Sequence, residues 1–314
     1  MTLLIQYTLI FASVLLLVAL GGCFAEHSGV INIGLEGIMV IGALGGALIM
    51  KFLPVSVGAP VMILAVTLGS ALFGMLFSLL LAVAAINFKA DQTITGTAMN
   101  MLATAAATVA VKAMNTAASG GSDVSSEITF TNARELLTFR VGGFALNWFM
   151  LIALAVLIFS QILLYKSRFG LRLMACGEHP QAAASVGIDV YKMRYAGVLI
   201  SGLLGGLGGV VYITAGINSW KFENGVAGFG FLSLAVMIFG AWHPVKIALA
   251  ALLFGFFRAL GNVYSGFDFM MALKIPSVVY NMLPYVISLV VLAFTSKKSR
   301  APKAEGIPYD PGTR

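Results

Sequence analysis

Charge is scarce in this chain. Asp, Glu, Lys and Arg together make up 10% of the 314 residues, and 60% are hydrophobic. A soluble domain carries about 25% charged residues. With a mean hydropathy of +0.98, the composition excludes an ordinary soluble protein and specifies an integral membrane protein in one polytopic domain. Cysteine is almost missing. Cys23 and Cys176 are the two present; they cannot build a framework of several bridges and read as small hydrophobes. The LGGC run at 20–23 looks like a lipoprotein cleavage box, but no Lys or Arg precedes Lys51, and a secretory signal needs a positive start. His27, His179 and His243 are the three histidines, all in loops or at span ends. The chain has no H-E-x-x-H run and no paired Cys/His spacing, so no metal site is expected. It has no G-x-x-x-x-G-K-[ST] phosphate loop and no catalytic cluster, so it is expected not to be an enzyme.

The net charge of +7 does not point to nucleic acid. The charges sit in loops and in the tail, with no basic helix and no aromatic–basic patch. They read instead as the positive-inside bias of a membrane protein.

What is abundant is apolar runs. A spanning helix needs about 20 mostly apolar residues. Nine stretches qualify: 3–22, 30–50, 58–86, 94–112, 146–165, 194–217, 226–241, 245–263 and 278–296. The fold class is therefore an all-α polytopic bundle of about nine transmembrane helices. The seventh stretch is short and flanked by Gly225, Gly228, Gly230 and Gly240, which marks a broken or re-entrant helix. With the N-terminus outside, twelve of the nineteen Lys and Arg fall in cytoplasmic segments and six in outer ones, Arg258 lying within a span. That asymmetry favours N-out, C-in. The domain layout is then a single membrane domain over 1–296, with an external loop at 113–145, a cytoplasmic loop at 166–193, and a basic tail at 297–314. The external loop reads either as a solvated cap or as a landing platform for an external partner. The tail, KKSRAPKAEGIPYDPGTR, reads as a disordered positive stop suited to anionic lipid.

The cytoplasmic loop KSRFGLRLMACGEHPQAAASVGIDVYKM is a polar, cationic island between apolar spans. It reads as two short helices broken at Gly177 and Pro180, a surface for docking. In the fourth stretch, Thr93, Thr97, Asn100, Thr104 and Thr108 recur at helical spacing and form one polar stripe. Threonine hydroxyls can satisfy themselves one turn back; the Asn100 amide needs partners in a dry medium. Thr97, Asn100, Thr104 and Thr108 are therefore candidates for a polar translocation path. Asp91 stands where an N-cap would start this helix. Glu36 lies in an apolar run, where a carboxylate is a functional candidate. With Asn32 it is assigned a gate or interface role. Arg258 is expected to pair with Asp268 or Glu223. The glycine pairs Gly42/Gly46, Gly202/Gly206 and Gly205/Gly209, each four apart, read as close helix packing.

Four segments carry a resemblance: GVINIGLEGIMVIGAL, DQTITGTAMNMLA, SRFGLRLMACGEHPQAAASVGIDVYKMRYAGVLISGLLGGLGG and FGFLSLAVMIFGAWHPVKIALAALLFGFFRAL. They resemble the permease subunits of ABC importers of the branched-chain amino acid, ribose and nucleoside group, with the flavour of the nucleoside-type branch. The resemblance implies a type II-like importer permease with no catalysis of its own. Arg168, Arg172, Gly177, Glu178, Pro180, Ala182, Ala183 and Gly187 would belong to the loop that couples to an ATPase. ATP and Mg would be bound by that ATP-binding subunit, and this chain would hold no cofactor. The other implied partners are an external substrate-binding protein, the lipid bilayer and a second, different and longer permease. Sugar-type members start with an extra span, and this chain begins at what resembles their second. The expected cargo is a nucleoside; branched-chain amino acids or simple sugars carried by the same machine are the alternative. An ion-coupled secondary transporter is a more distant one, since buried charges along a path are few and no internal repeat is evident.

Overall fold

The computed structural model describes residues 2–215, 218–266, 276, 279, 280, 282–287, 289 and 301–312. In chain order the elements begin with α1 (Thr2–His27), α2 (Leu35–Phe52), α3 (Ala59–Ala82, continued by a π-turn over Val83–Asn87) and α4 (Gln92–Ala118). A polar cap follows, with β1 (Glu127–Thr129), α5 (Thr131–Leu136), β2 (Thr138–Val141) and β3 (Phe144–Asn147). Then come α6 (Trp148–Lys166), α7 (Arg168–Glu178), α8 (Pro180–Ser185) and α9 (Val190–Ile213). The last described elements are β4 (Ser219–Lys221), α10 (Phe229–Phe239) and α11 (Pro244–Val263).

Seven of these helices, α1, α2, α3, α4, α6, α9 and α11, are long and apolar enough to cross a membrane. The helix expected over 226–241 shortens to α10, eleven residues long. The ninth expected span, 278–296, lies largely outside the described residues.

α1 is apolar on every side, which is the pattern of a central helix. From Ile10 to Glu26 every residue is buried, and α9, α11, α10 and α6 surround it. α2, α3 and α9 approach one another through glycine. A Cβ on Gly42 would stand 2.2 Å from Gly206 Cα, and one on Gly74 would stand 2.4 Å from the Gly202 carbonyl oxygen. Lipid supplies no hydrophobic drive between helices, so this backbone-to-backbone contact is what lets dispersion hold them.

The two faces of the bundle differ. On one, β1 pairs antiparallel with β4, placing Glu127 opposite Lys221, and β2 pairs with β3 in a hairpin. Asn115, at the end of α4, donates to the Ser125 and Glu127 carbonyls at 3.0 and 2.8 Å and accepts from Lys51 at 3.0 Å. These bonds turn residues 113–145 into an ordered cap. The opposite face carries residues 166–193 and also residues 301–312. The tail is thus not a free basic extension along its described length: Ala304 donates to the Gly177 carbonyl at 2.8 Å and Gly306 to the Gly29 carbonyl at 3.2 Å. Composition read as disorder is overridden here by long-range contacts.

Candidate functional site

α10 is a helix that begins at membrane depth. Eleven residues rise about 16 Å, roughly half of a hydrocarbon core about 30 Å thick. β4, before it, belongs to the capped face; Trp242, after it, lies against the end of α1 at the other. The segment crosses the bundle as a short strand, a 3-10 turn over Phe222–Asn224 and a half-helix rather than returning to the face it left. Gly225 at φ +57° and Gly228 at φ +78° make the turn into the helix, conformations that suit glycine.

The first amides of α10 have no partner within the helix and need an acceptor. Glu36 supplies it from the first turn of α2: Oε1 accepts from Gly228 N at 2.8 Å and Oε2 from Gly230 N at 2.7 Å. The carboxylate also faces the positive end of the helix dipole. Beside it stand aromatic rings. Tyr212 and Phe229 have centroids 4.6 Å apart, and the Arg258 guanidinium lies 5.3 Å from the Phe229 centroid. Arg258 does not take Glu223, which pairs with Lys112 at 3.7 Å; Asp268 lies outside the described residues. Asn32, buried in the link before α2, donates to Ser201 Oγ on α9 at 2.8 Å.

The stripe on α4 divides into two kinds of residue. Asn100 is spent on neighbours: its Oδ1 accepts from Gly37 N at 2.8 Å and its Nδ2 donates to the Ile33 carbonyl at 3.0 Å. It ties α4 to the start of α2. The Thr97 and Thr104 hydroxyls instead donate to the carbonyls of Thr93 and Asn100 on their own helix, at 2.8 and 3.3 Å. Thr97 is exposed, and Thr104 and Thr108 are half-buried, so among the described residues this flank of α4 is only partly covered. Asp91 caps α4 as its position predicts, accepting from Ile94 N at 2.9 Å.

On the opposite face α7 and α8 form a rigid helix–turn–helix. Ser167 caps α7 through Gly170 N at 3.1 Å, and Pro180 opens α8, where a fixed φ and no N–H suit a first turn. Gly187, at φ +85°, closes it. Gly177, Pro180 and Ala183 face the bundle, while Arg168, Arg172, Glu178, Ala182 and Gly187 are exposed. Only glycine fits at 177, because a Cβ there would lie 2.4 Å from the His27 carbonyl oxygen at the end of α1. Burial pushes the Cys176 thiol up to about 11.

That end of α1 is a junction invisible in the sequence. Trp242 Nε1 donates to Glu26 Oε2 at 2.5 Å, and the Trp242 carbonyl receives Cys23 Sγ at 3.2 Å and lies 3.0 Å from His27 Nε2. α1 thereby touches α7 on one side and the α10–α11 turn on the other. The available signal was Trp242 itself, at φ +55° in the GAWHP run. No group of His, Cys, Asp and Glu suited to a metal occurs among the described residues.

Apolar spanning helices, a half-helix with a capped polar start and two dissimilar faces define a multi-pass membrane permease, a transport subunit. The family described as branched-chain amino acid transport system permease component matches residues 4–294, and the chain belongs to it. It is 41% identical to the guanosine ABC transporter permease protein NupQ of Bacillus subtilis (strain 168), over 100% of this chain and 98% of that one. It is 39% identical to the nucleoside ABC transporter permease protein NupC of Lactococcus lactis subsp. cremoris, over 96% and 94%. NupB of the same Lactococcus strain, also a nucleoside ABC transporter permease by name, is 32% identical over 35% of this chain and 30% of its own length.

Proposed function

We propose that this chain is the permease subunit of a binding-protein-dependent ABC importer that carries nucleosides across the cytoplasmic membrane. The observation that carries the cargo is the full-length identity of 41% and 39% to permeases named for guanosine and for nucleosides. In this reading the N-terminus and the 113–145 cap face outward, and the 166–193 loop and the C-terminus face the cytoplasm. The excess of Lys and Arg on the latter side supports that orientation. ATP and Mg belong to an ATPase subunit docked on α7 and α8, with Arg168, Arg172 and Glu178 on the docking surface. A second, longer permease completes the pore; NupB and NupC of one Lactococcus strain offer a parallel for such a pair. A binding protein delivers substrate to the outer cap.

The motion follows from the contacts. Pressure on α7 reaches α1 through Gly177 and His27. From α1 it reaches α10 through Trp242, and at its far end α10 is held by Glu36. Tilting this train changes access around the start of α10, beside Thr97, Thr104 and Thr108 on the partly covered flank of α4. Asn32 and Glu36 hold the gate side of that region.

The test is uptake of radiolabelled guanosine, adenosine and uridine in cells with and without this chain, competed by unlabelled nucleosides, ribose and leucine. Loss of saturable nucleoside uptake on deletion, competed by nucleosides alone, is expected. Loss of ribose or leucine uptake with nucleoside uptake intact would overturn the cargo. Substitution of Glu178 by Arg should release the ATPase; if assembly and uptake survive it, the docking surface is misassigned.

A further inference from the structure

The described tail residues lie across the very segment assigned to coupling. They join it to the end of α1, the α1–α2 link, the α3–α4 link and α9. Ala304 bonds the carbonyl of Gly177 where α7 ends, and Gly306 bonds the carbonyl of Gly29 in the link between α1 and α2. The Ile307 carbonyl accepts from Arg194 Nη1 on α9 at 2.9 Å. Tyr309 completes a small apolar cluster with Cys176 of α7, Ala183 of α8 and Val190 of α9, its ring edge-on to Tyr191 at 5.5 Å. Asp310 meets Lys89 in the α3–α4 link at 3.4 Å. Glu305 lies against the Glu26 carboxyl at the end of α1.

Arg194 shows why the tail stays down. Its side chain is 1% exposed, and its Nε and Nη2 have no hydrogen-bond partner. The Ile307 carbonyl is the acceptor that its guanidinium has. A buried cation stripped of its acceptor is strongly disfavoured, so the tail and Arg194 hold each other in place. The coupling segment alone is small: α8 has six residues and buries Pro180 and Ala183. Without Tyr309 the α7–α8 unit loses the wedge that fixes it against α9.

We propose that residues 301–312 are a clasp that locks α7 and α8 to the ends of α1 and α9, so that displacement of the coupling segment by the ATPase is passed to those helices. The clasp rests on the assignment of α7 and α8 as the ATPase contact. Its residues are positioning residues; they touch no substrate.

The buried thiol of Cys176 reports on the clasp. In the complete transporter, with Cys23 replaced by Ala, a water-soluble maleimide should leave Cys176 unmodified. Tyr309→Ala and a stop after Arg300 should raise the labelling rate at least tenfold, and Tyr309→Phe, which keeps the ring, should not. In the same preparations the ATPase should still co-purify with Tyr309→Ala, while nucleoside taken up per ATP hydrolysed falls at least fivefold and returns with Tyr309→Phe. Asp310→Asn, at a half-exposed ion pair, should stay within twofold. If Cys176 remains protected in Tyr309→Ala, or is exposed with transport per ATP unchanged, the clasp is wrong. Glu178→Arg in parallel separates the two readings. Assembly that survives Glu178→Arg removes the docking surface. Assembly lost there, with uptake untouched in the tail variants, removes the clasp alone.

Discussion

The Glu36 carboxylate on α2 receives the Gly230 amide at the start of α10 at 2.7 Å, joining residues far apart in sequence at a depth where water is scarce. Removing the acceptor leaves the amides of Gly228 and Gly230 unsatisfied, which costs about 1–3 kcal/mol for each buried group. Glu36→Ala should therefore lower the unfolding midpoint in nanodiscs and suppress uptake. Glu36→Gln, which keeps one oxygen acceptor, should lose less of both. An unfolding curve for Glu36→Ala that overlays the parent would refute the capping role.

Asn100 and its threonine neighbours should part company under substitution. Asn100→Leu removes two bonds to the start of α2 and is expected to cost about 1–3 kcal/mol of stability, with uptake falling alongside. Thr97→Val and Thr104→Val lose only hydroxyls that bond their own helix, so folding should be nearly unchanged. If these threonines line the path, uptake falls severalfold at constant stability. Normal uptake in the double valine variant would remove the path from this face.

Tail docking should depend on pH. Burial raises the Glu305 carboxyl to about 6 in the docked state, against an ordinary 4.5, although its hydrogen bond with Glu26 lowers it. A carboxyl raised in this way binds its proton more tightly docked than free. Its contribution is fully present below about 4.5 and is lost as pH rises through about 6. Glu26, His27 and Trp242 face the same spot from α1 and the α10–α11 turn. Hydrogen exchange at Ala304 and Gly306, corrected for the intrinsic rate, should be slower at pH 5 than at pH 7. Glu305→Gln should flatten that difference; a difference that persists in it would assign the effect elsewhere.

The glycine contacts should tolerate nothing larger. Gly42→Ala forces α2 away from the Gly206 backbone, an overpacking cost of about 1–3 kcal/mol. Gly206→Leu should prevent recovery of folded protein altogether. Size-exclusion profiles and thermal midpoints of the purified variants check both.

Much of the architecture was legible because the signals are local. Apolar runs of the right length marked the spans, Asp91 marked the start of α4, Pro180 marked α8, and glycines around 225–240 marked the broken helix. What escaped depends on distance in sequence. The partners of Asn100 lie on another element, and nothing near Asn100 names them. Trp242 and Glu26 meet only because α1 and α10 end together. The strand pairing of β1 with β4 joins two short polar segments of no distinctive composition. The tail misled for the same reason: its basic and proline-rich sequence carries no periodic apolar face, and its fixed position comes from residues remote in sequence, among them Gly177, Gly29, Arg194 and Cys176.

Where α2, α3 and α9 meet at Gly42, Gly74 and Gly206, backbone touches backbone. No rotamer exists there to flip, and no side chain to slide past another. Three helices so joined move as one unit. Similar glycine contacts tie α1 to α9 at Gly21 and α10 to α2 at Gly230, so relative motion within the subunit is left to joints where side chains intervene, such as Trp242 against Glu26.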